Sequence, residues 1–66
     1  MNQLTDKQLK AVNAGQMAIA AGMRRAVGIK LLVRDFGFTR EQADRFITLY
    51  RRCKDVDVAE HEAFKV

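Results

Sequence analysis

The sequence predicts a small all-α domain, and three observations lead to that prediction. The 66-residue chain contains no Pro, and its apolar residues are rich in Ala and Met. Its Val and Ile residues do not alternate with polar residues as they do in strands. Two segments also carry the capping pattern with which helices begin. We expect a bundle of three main helices, at about 6–27, 29–36 and 39–53, with a short or frayed C-terminal helix.

Both helix starts use the same residues at the same spacing. In LTDKQL, Thr5 is the expected N-cap and Gln8 completes a capping box; in FTREQA, Thr39 and Gln42 hold the same positions. Each threonine hydroxyl is placed to accept a hydrogen bond from a first-turn amide, which is worth about 1 kcal/mol. Two helices are therefore predicted to begin directly after these threonines.

The first helix is apolar on two sides. Its larger side chains follow a heptad spacing, with Gln16 in the same row as Leu9, Val12, Ile19 and Met23. The small residues form a second row: Ala11, Ala14, Ala18, Ala21 and Gly22. Such a helix is either central in a monomer or covered by a second copy. Because a short chain gains stability by burying a second apolar side, we expect a homodimer through the small row.

Two glycines are expected to mark helix boundaries in the middle of the chain. We expect the first helix to break near Gly28, and Gly37 to end the second helix in the left-handed conformation. The third helix is amphipathic, with Cys53 on its apolar face, where we expect a buried thiol. The predicted core contains Leu9, Val12, Ile19, Met23, Val27, Leu32, Phe36, Phe38, Ala43, Phe46, Ile47 and Tyr50.

The charge is distributed unevenly along the chain. The net charge is +4, with a basic body and an acidic segment at 55–66. A basic body suits an anionic partner, either nucleic acid or an acidic protein surface. We expect one domain, 1–66, whose acidic tail is either a short helix capped by Asp57 or mobile. The lone cysteine and the lack of a membrane-length apolar run favour a cytoplasmic protein without membrane contact.

Residues for catalysis are scarce. The chain has no serine, and two of its three threonines are expected to act as caps. His61 is the only histidine and has no second ligand at metal-binding spacing. We therefore expect no enzyme activity, no cofactor and no metal site.

Residues 29–48 resemble a helix-turn-helix motif. Leu32, Phe36, Phe38, Ala43 and Phe46 fall at its apolar positions, and Gly37 falls at its turn. The resemblance implies a DNA-binding regulator. Its recognition side chains would be Thr39, Arg40, Glu41, Asp44, Arg45 and Thr48.

Residues 36–47 are also similar to ubiquitin-associated-type three-helix domains. There the Phe36-Gly37-Phe38 segment stands for the Met-Gly-Phe loop of that family, before a capped helix containing Glu-Gln-Ala. The resemblance implies a protein-binding module with Phe36 exposed in the binding patch.

The N-terminal segment resembles a double-glycine-type leader. Leu4, Leu9 and Val12 lie at its hydrophobic positions, ahead of a cut after Gly15. That resemblance implies a bacteriocin-type precursor peptide.

The outer face of the third helix mixes acidic and basic side chains, which suits a protein surface better than phosphates. We expect a non-catalytic regulator or inhibitor that binds a partner protein, of the small kind that phages and mobile elements encode. A DNA-binding regulator is the alternative. The expected contacts under both are Arg24, Arg25, Lys30, Arg40, Glu41, Asp44, Arg45, Thr48, Arg51 and Arg52.

Overall fold

The computed structural model describes residues 3–65, and in that range the chain forms four α-helices and no strand. The helices are α1 (Asp6–Gly22), α2 (Arg25–Phe36), α3 (Arg40–Cys53) and α4 (Val56–Ala63). α1 and α3 each pack against all three of the other helices, whereas α2 and α4 do not pack against each other. The all-α prediction is confirmed.

Both predicted capping boxes are present. The Thr5 hydroxyl accepts from the Gln8 amide at 3.2 Å, and the Gln8 side chain accepts from the Thr5 amide at 3.0 Å. At α3, the corresponding distances between Thr39 and Gln42 are 3.1 and 2.9 Å. The predicted starts of α1 and α3 are therefore confirmed.

The predicted boundary between the first two helices is wrong. α1 ends at Gly22, and the chain leaves the helical conformation at Met23 and Arg24, with ψ values of 174° and 140°. α2 then begins at Arg25 and includes Gly28 in its interior. A Cβ on Gly28 would overlap the carbonyl oxygen of Ala20. Gly28 thus permits close packing of α2 on α1 and does not break a helix.

The turn between α2 and α3 matches the prediction. Gly37 has a φ of 71°, in the left-handed region that glycine adopts without strain, and its amide donates to the Leu32 carbonyl oxygen. α3 begins three residues later at Arg40. This short connection holds α2 and α3 side by side.

The acidic C-terminal segment forms a helix that packs against α3 and α1. Its N-cap is Asp55, whose carboxylate accepts from the Val58 amide at 3.1 Å; the expected cap, Asp57, lies inside the helix. Ala59 and Ala63 are fully buried. Of the two expectations for this segment, the short helix is therefore confirmed and the mobile tail is wrong; Val66 lies outside the described residues.

The core prediction is confirmed only for α2, α3 and the turn between them. Five of the predicted core residues are buried: Leu32, Phe38, Ala43, Phe46 and Ile47. Met23, Phe36 and Tyr50 are half-buried. Four predicted core residues are exposed by between 44% and 62%: Leu9, Val12, Ile19 and Val27. Cys53, expected to be buried, is also exposed.

α1 buries a different side from the one predicted. Met17, Ala20 and Ala21 are at most 3% exposed, and they face the rest of the bundle. Ala20 and Ala21 allow the α1 backbone to approach its neighbours closely, and Met17 is the one large side chain of α1 that is buried there. The heptad row is therefore left largely outside the core.

Candidate partner-binding surface

Arg25 connects the start of α2 to the outer side of α3. Its Nη1 donates to the Asp44 carboxylate at 2.6 Å, to the Thr48 hydroxyl at 3.1 Å and to the Asp44 carbonyl oxygen at 3.3 Å. The structure therefore brings together three of the predicted contact residues. Because they bind one another, these side chains help to hold α2 on α3.

Arg51 binds the C-terminal end of α1. Its Nε donates to the Ala21 carbonyl oxygen at 2.9 Å, and its Nη2 donates to the Met23 carbonyl oxygen at 2.6 Å. The last carbonyls of a helix lack intrahelical partners, and the helix dipole favours a cation beside them. Arg51 thus supplies hydrogen-bond donors to the carbonyl oxygens at the end of α1 and connects that end to α3. Arg45 is also engaged, donating to the Lys65 carbonyl oxygen at 3.3 Å.

Four of the basic residues predicted to contact a partner form no ion pair and no side-chain hydrogen bond with any described residue. They are Arg24, Lys30, Arg40 and Arg52. Arg24 is at the start of α2 and Arg52 is near the end of α3. Only Lys30 and Arg40 line the same surface depression.

That depression, which we call the α2 groove, has a volume of about 500 Å³. It is lined by Ala26, Val27, Ile29, Lys30, Val33, Arg34 and Arg40. Val27 is 48% exposed and Val33 is 37% exposed, so two aliphatic side chains are open to solvent among three cations. No acidic residue lines it. The groove therefore combines apolar walls with a basic rim.

Sequence reasoning missed Val27, Val33 and Arg34 as surface residues. The predicted core includes Val27, as the last residue of the expected first helix. With the observed start at Arg25, residues 27, 30, 33 and 34 share the outer side of one helix. Lys30, Val33 and Arg34 lie within the helix predicted at 29–36, so only the position of Val27 depended on the correct start of α2.

Arg34 differs from the other two cations of the groove. Its Nε donates to the Asp35 carboxylate at 3.0 Å. That hydrogen bond, together with the negative charge of Asp35, raises the pKa of Arg34 above its usual value. Lys30 and Arg40 are thus the cations of the groove that have no carboxylate of their own among the described residues.

A second depression lies on the outer face of α3. It is lined by Glu41, Asp44, Arg45, Thr48 and Leu49. Its carboxylates and its arginine are all exposed. The mixed charge expected for this face is therefore present on the surface of the folded domain.

The residues expected to mediate self-association occupy three kinds of environment. Ala21 is completely buried, Ala14 and Ala18 are half-buried, and Ala11 and Gly22 are exposed. Ala21 therefore has no side-chain surface to offer a second chain. The exposed side of α1 carries Val12 and Ile19 from the heptad row instead.

Within residues 3–65, no three His, Cys, Asp or Glu residues cluster in a way that would hold a metal ion. His61 and Cys53 are both exposed. Over the same residues, none of the helices combines the length and the apolar character needed to span a bilayer.

Phe36, which the ubiquitin-associated resemblance places in an exposed patch, is half-buried and packs against the core. Gly15, the residue before the cut of the leader resemblance, lies in the middle of α1. Comparison of the chain with protein-family models, curated proteins and solved structures finds no match. The three local resemblances therefore stay predictions.

Proposed function

We propose that this protein is a non-catalytic regulator or inhibitor that acts by binding a partner protein through the α2 groove. The observation that carries the proposal is the exposure of Val27 and Val33 beside Lys30 and Arg40, two cations without a carboxylate partner among the described residues. Exposed apolar side chains bordered by polar ones are a feature of protein-binding surfaces. Arginine is also enriched in such interfaces.

The outer face of α3 supports a protein partner over DNA. In a helix-turn-helix protein this face enters the major groove, close to two phosphate backbones. Here it carries Glu41 and Asp44. The positive charge of Arg25 is already used by Asp44. A carboxylate near phosphates opposes the electrostatic term that dominates DNA affinity.

DNA binding remains the second candidate function, and one observation favours it. α2 and α3 are joined by three residues, with Gly37 left-handed, which is a connection of the length that helix-turn-helix motifs use. Leu32, Phe38, Ala43 and Phe46 are buried, as that motif requires of its apolar positions. Under this proposal, Arg40 and Arg45 would contact DNA.

The test is site-specific photo-crosslinking with p-benzoylphenylalanine in the native cell. We expect the probe at Val33 to give a discrete protein adduct that Arg40→Glu abolishes. The same probe at Val58, which is 50% exposed on α4, serves as the control and should give no such adduct. In parallel, binding of duplex DNA is measured at low and moderate salt. If the protein binds a specific DNA sequence, if Arg40→Ala abolishes that binding, and if no protein adduct forms at position 33, DNA binding replaces protein binding as the function.

We also propose that two copies associate through α1, on the side that carries Val12 and Ile19. Ile19 is 62% exposed, and the chain has no charged residue from Ala11 to Met23. A twofold interface brings the same surface of both copies together, and residues near the axis meet their own symmetry mates, so an uncharged surface avoids like-charge contacts there. Sedimentation should show a dimer that Ile19→Glu converts to a monomer, whereas Val58→Glu leaves it intact. A strict monomer at all concentrations would remove this proposal.

A further inference from the structure

We infer that the occupant of the α2 groove is an acidic, amphipathic segment of the partner protein. The inference rests on the proposed function, that a protein binds here, and it specifies the chemistry of the bound segment. Two properties of the groove lead to it: the spacing of its open apolar side chains and the sign of its charges.

The apolar side chains of the groove are arranged along α2. Val27 and Val33 are six residues apart, which corresponds to about 9 Å along a helix axis. Ala26, which directly precedes Val27, also lines the groove and contributes only a short side chain. The groove is an open depression of about 500 Å³, a volume within the range of ligand-binding clefts in proteins. An occupant with two apolar side chains about two helical turns apart would cover both valines.

The charges of the groove have one sign. Three of its lining residues are cationic and none is anionic. Arg34 is bound to Asp35, whereas Lys30 and Arg40 have no such partner in residues 3–65. Lys30 lies between the two valines along α2, and Arg40 enters from the start of α3. Both cations therefore border whatever covers the valines.

An occupant without carboxylates would desolvate these cations without compensation. Removing an unpaired charge from water is costly, whereas pairing it with a carboxylate offsets that cost and sets the register of the bound segment. Duplex DNA would pair with the cations but would leave the valines without an apolar contact. Only a segment with both apolar and acidic side chains satisfies the whole groove.

The experiment uses synthetic helical peptides as probes. The first carries two leucines seven residues apart, flanked by glutamates; the second has lysine in place of each glutamate; the third has serine in place of each leucine. Binding is followed by two-dimensional NMR of the labelled protein and by fluorescence anisotropy of the peptide. We expect only the first peptide to bind, and we expect it to shift the amide signals of Val27, Lys30 and Val33.

Two matched variants locate the binding site. Arg40→Glu should weaken binding of the acidic peptide by at least about tenfold, because it replaces attraction with repulsion. Lys7→Glu makes the same change of charge on an exposed lysine of α1 outside the groove, and it should alter affinity by less than about twofold. Val33→Ser should also weaken binding, since it removes an apolar contact. NMR spectra of the free variants verify that each is folded.

The inference is overturned if the lysine or serine peptide binds as tightly as the first peptide, or if Lys7→Glu weakens binding as much as Arg40→Glu does. Tighter, Arg40-dependent binding of duplex DNA would overturn it as well. Failure of the acidic peptide alongside a protein adduct at position 33 would reject the acidic segment but leave the proposed function standing. Failure of both experiments would reject both.

Discussion

Gly28 of α2 lies directly against the carbonyl oxygen of Ala20 in α1. A side chain of any size at Gly28 would collide with that backbone atom, so this contact sets how closely the two helices cross. Gly28 is fully inside the bundle, and Lys30 and Val33 lie on the opposite side of α2. The contact therefore determines which side of α2 becomes the outer wall of the groove.

Gly28→Ala should destabilise the fold by about 1–3 kcal/mol. Alanine favours a helix by roughly 1 kcal/mol over glycine, but the added Cβ would overlap the Ala20 carbonyl oxygen and lie 3.1 Å from the Ile47 side chain. Urea denaturation followed by circular dichroism measures the difference. Gly15→Ala is the matched control: nothing lies within 4 Å of its new Cβ, so it should stabilise the fold by up to about 1 kcal/mol. Equal effects of the two substitutions would contradict the packing role of Gly28.

Arg51→Ala should cost about 1–2 kcal/mol of folding free energy. It removes two charge-assisted hydrogen bonds to the Ala21 and Met23 carbonyl oxygens, and partial exposure of the site lets water replace some of their value. Arg52→Ala should change stability by less than about 0.5 kcal/mol, because Arg52 is exposed and unpaired among the described residues. Thermal denaturation of the two variants side by side tests this, and similar losses in both would contradict the assigned role of Arg51.

The ion pair between Arg25 and Asp44 should contribute little to stability despite its 2.6 Å length. Its side chains are 43% and 55% exposed, so water competes for both charges. A double-mutant cycle with Arg25→Ala and Asp44→Ala should give a coupling below about 1 kcal/mol, which shrinks between about 0.1 M and 1 M salt. A salt-independent coupling of about 2 kcal/mol or more would mean that the pair is better shielded than its exposure indicates.

Arg24→Asp should stabilise the protein by about 1 kcal/mol. Arg24 is the N-cap of α2, where it makes no side-chain capping hydrogen bond and where the helix dipole opposes a positive charge. An aspartate there can accept from a first-turn amide. Arg24→Ala is the control for loss of the arginine alone and should give a smaller gain. A loss of stability in Arg24→Asp would show that Arg24 makes a favourable contribution that its local geometry does not explain.

The local features of the fold were predictable because each depends on residues close in sequence. The capping boxes of Thr5 and Thr39 need only the residue three positions later, and the left-handed turn at Gly37 needs only a glycine after a helix. The burial of Ala43, Phe46 and Ile47 followed from the regular amphipathic spacing of α3, whereas Cys53, expected on the same face, is exposed. The helix at 56–63 was less certain from sequence, since its burial depends on contacts with α3 and α1.

The sequence by itself determined the helical class, the boundaries of α3, the capping of α1 and the mixed charge of the outer face of α3. Only the tertiary structure decided which side of α1 is buried, because both sides are apolar and the choice depends on how closely other backbones approach. It also decided the role of Gly28, which is a helix breaker by propensity but a point of close contact here. Finally, the tertiary structure decided which cations are engaged inside the domain. Arg25, Arg45 and Arg51 donate hydrogen bonds to other residues of the chain, whereas Lys30 and Arg40 line the groove. Residues far apart in sequence make those bonds, so no local pattern distinguishes the two groups.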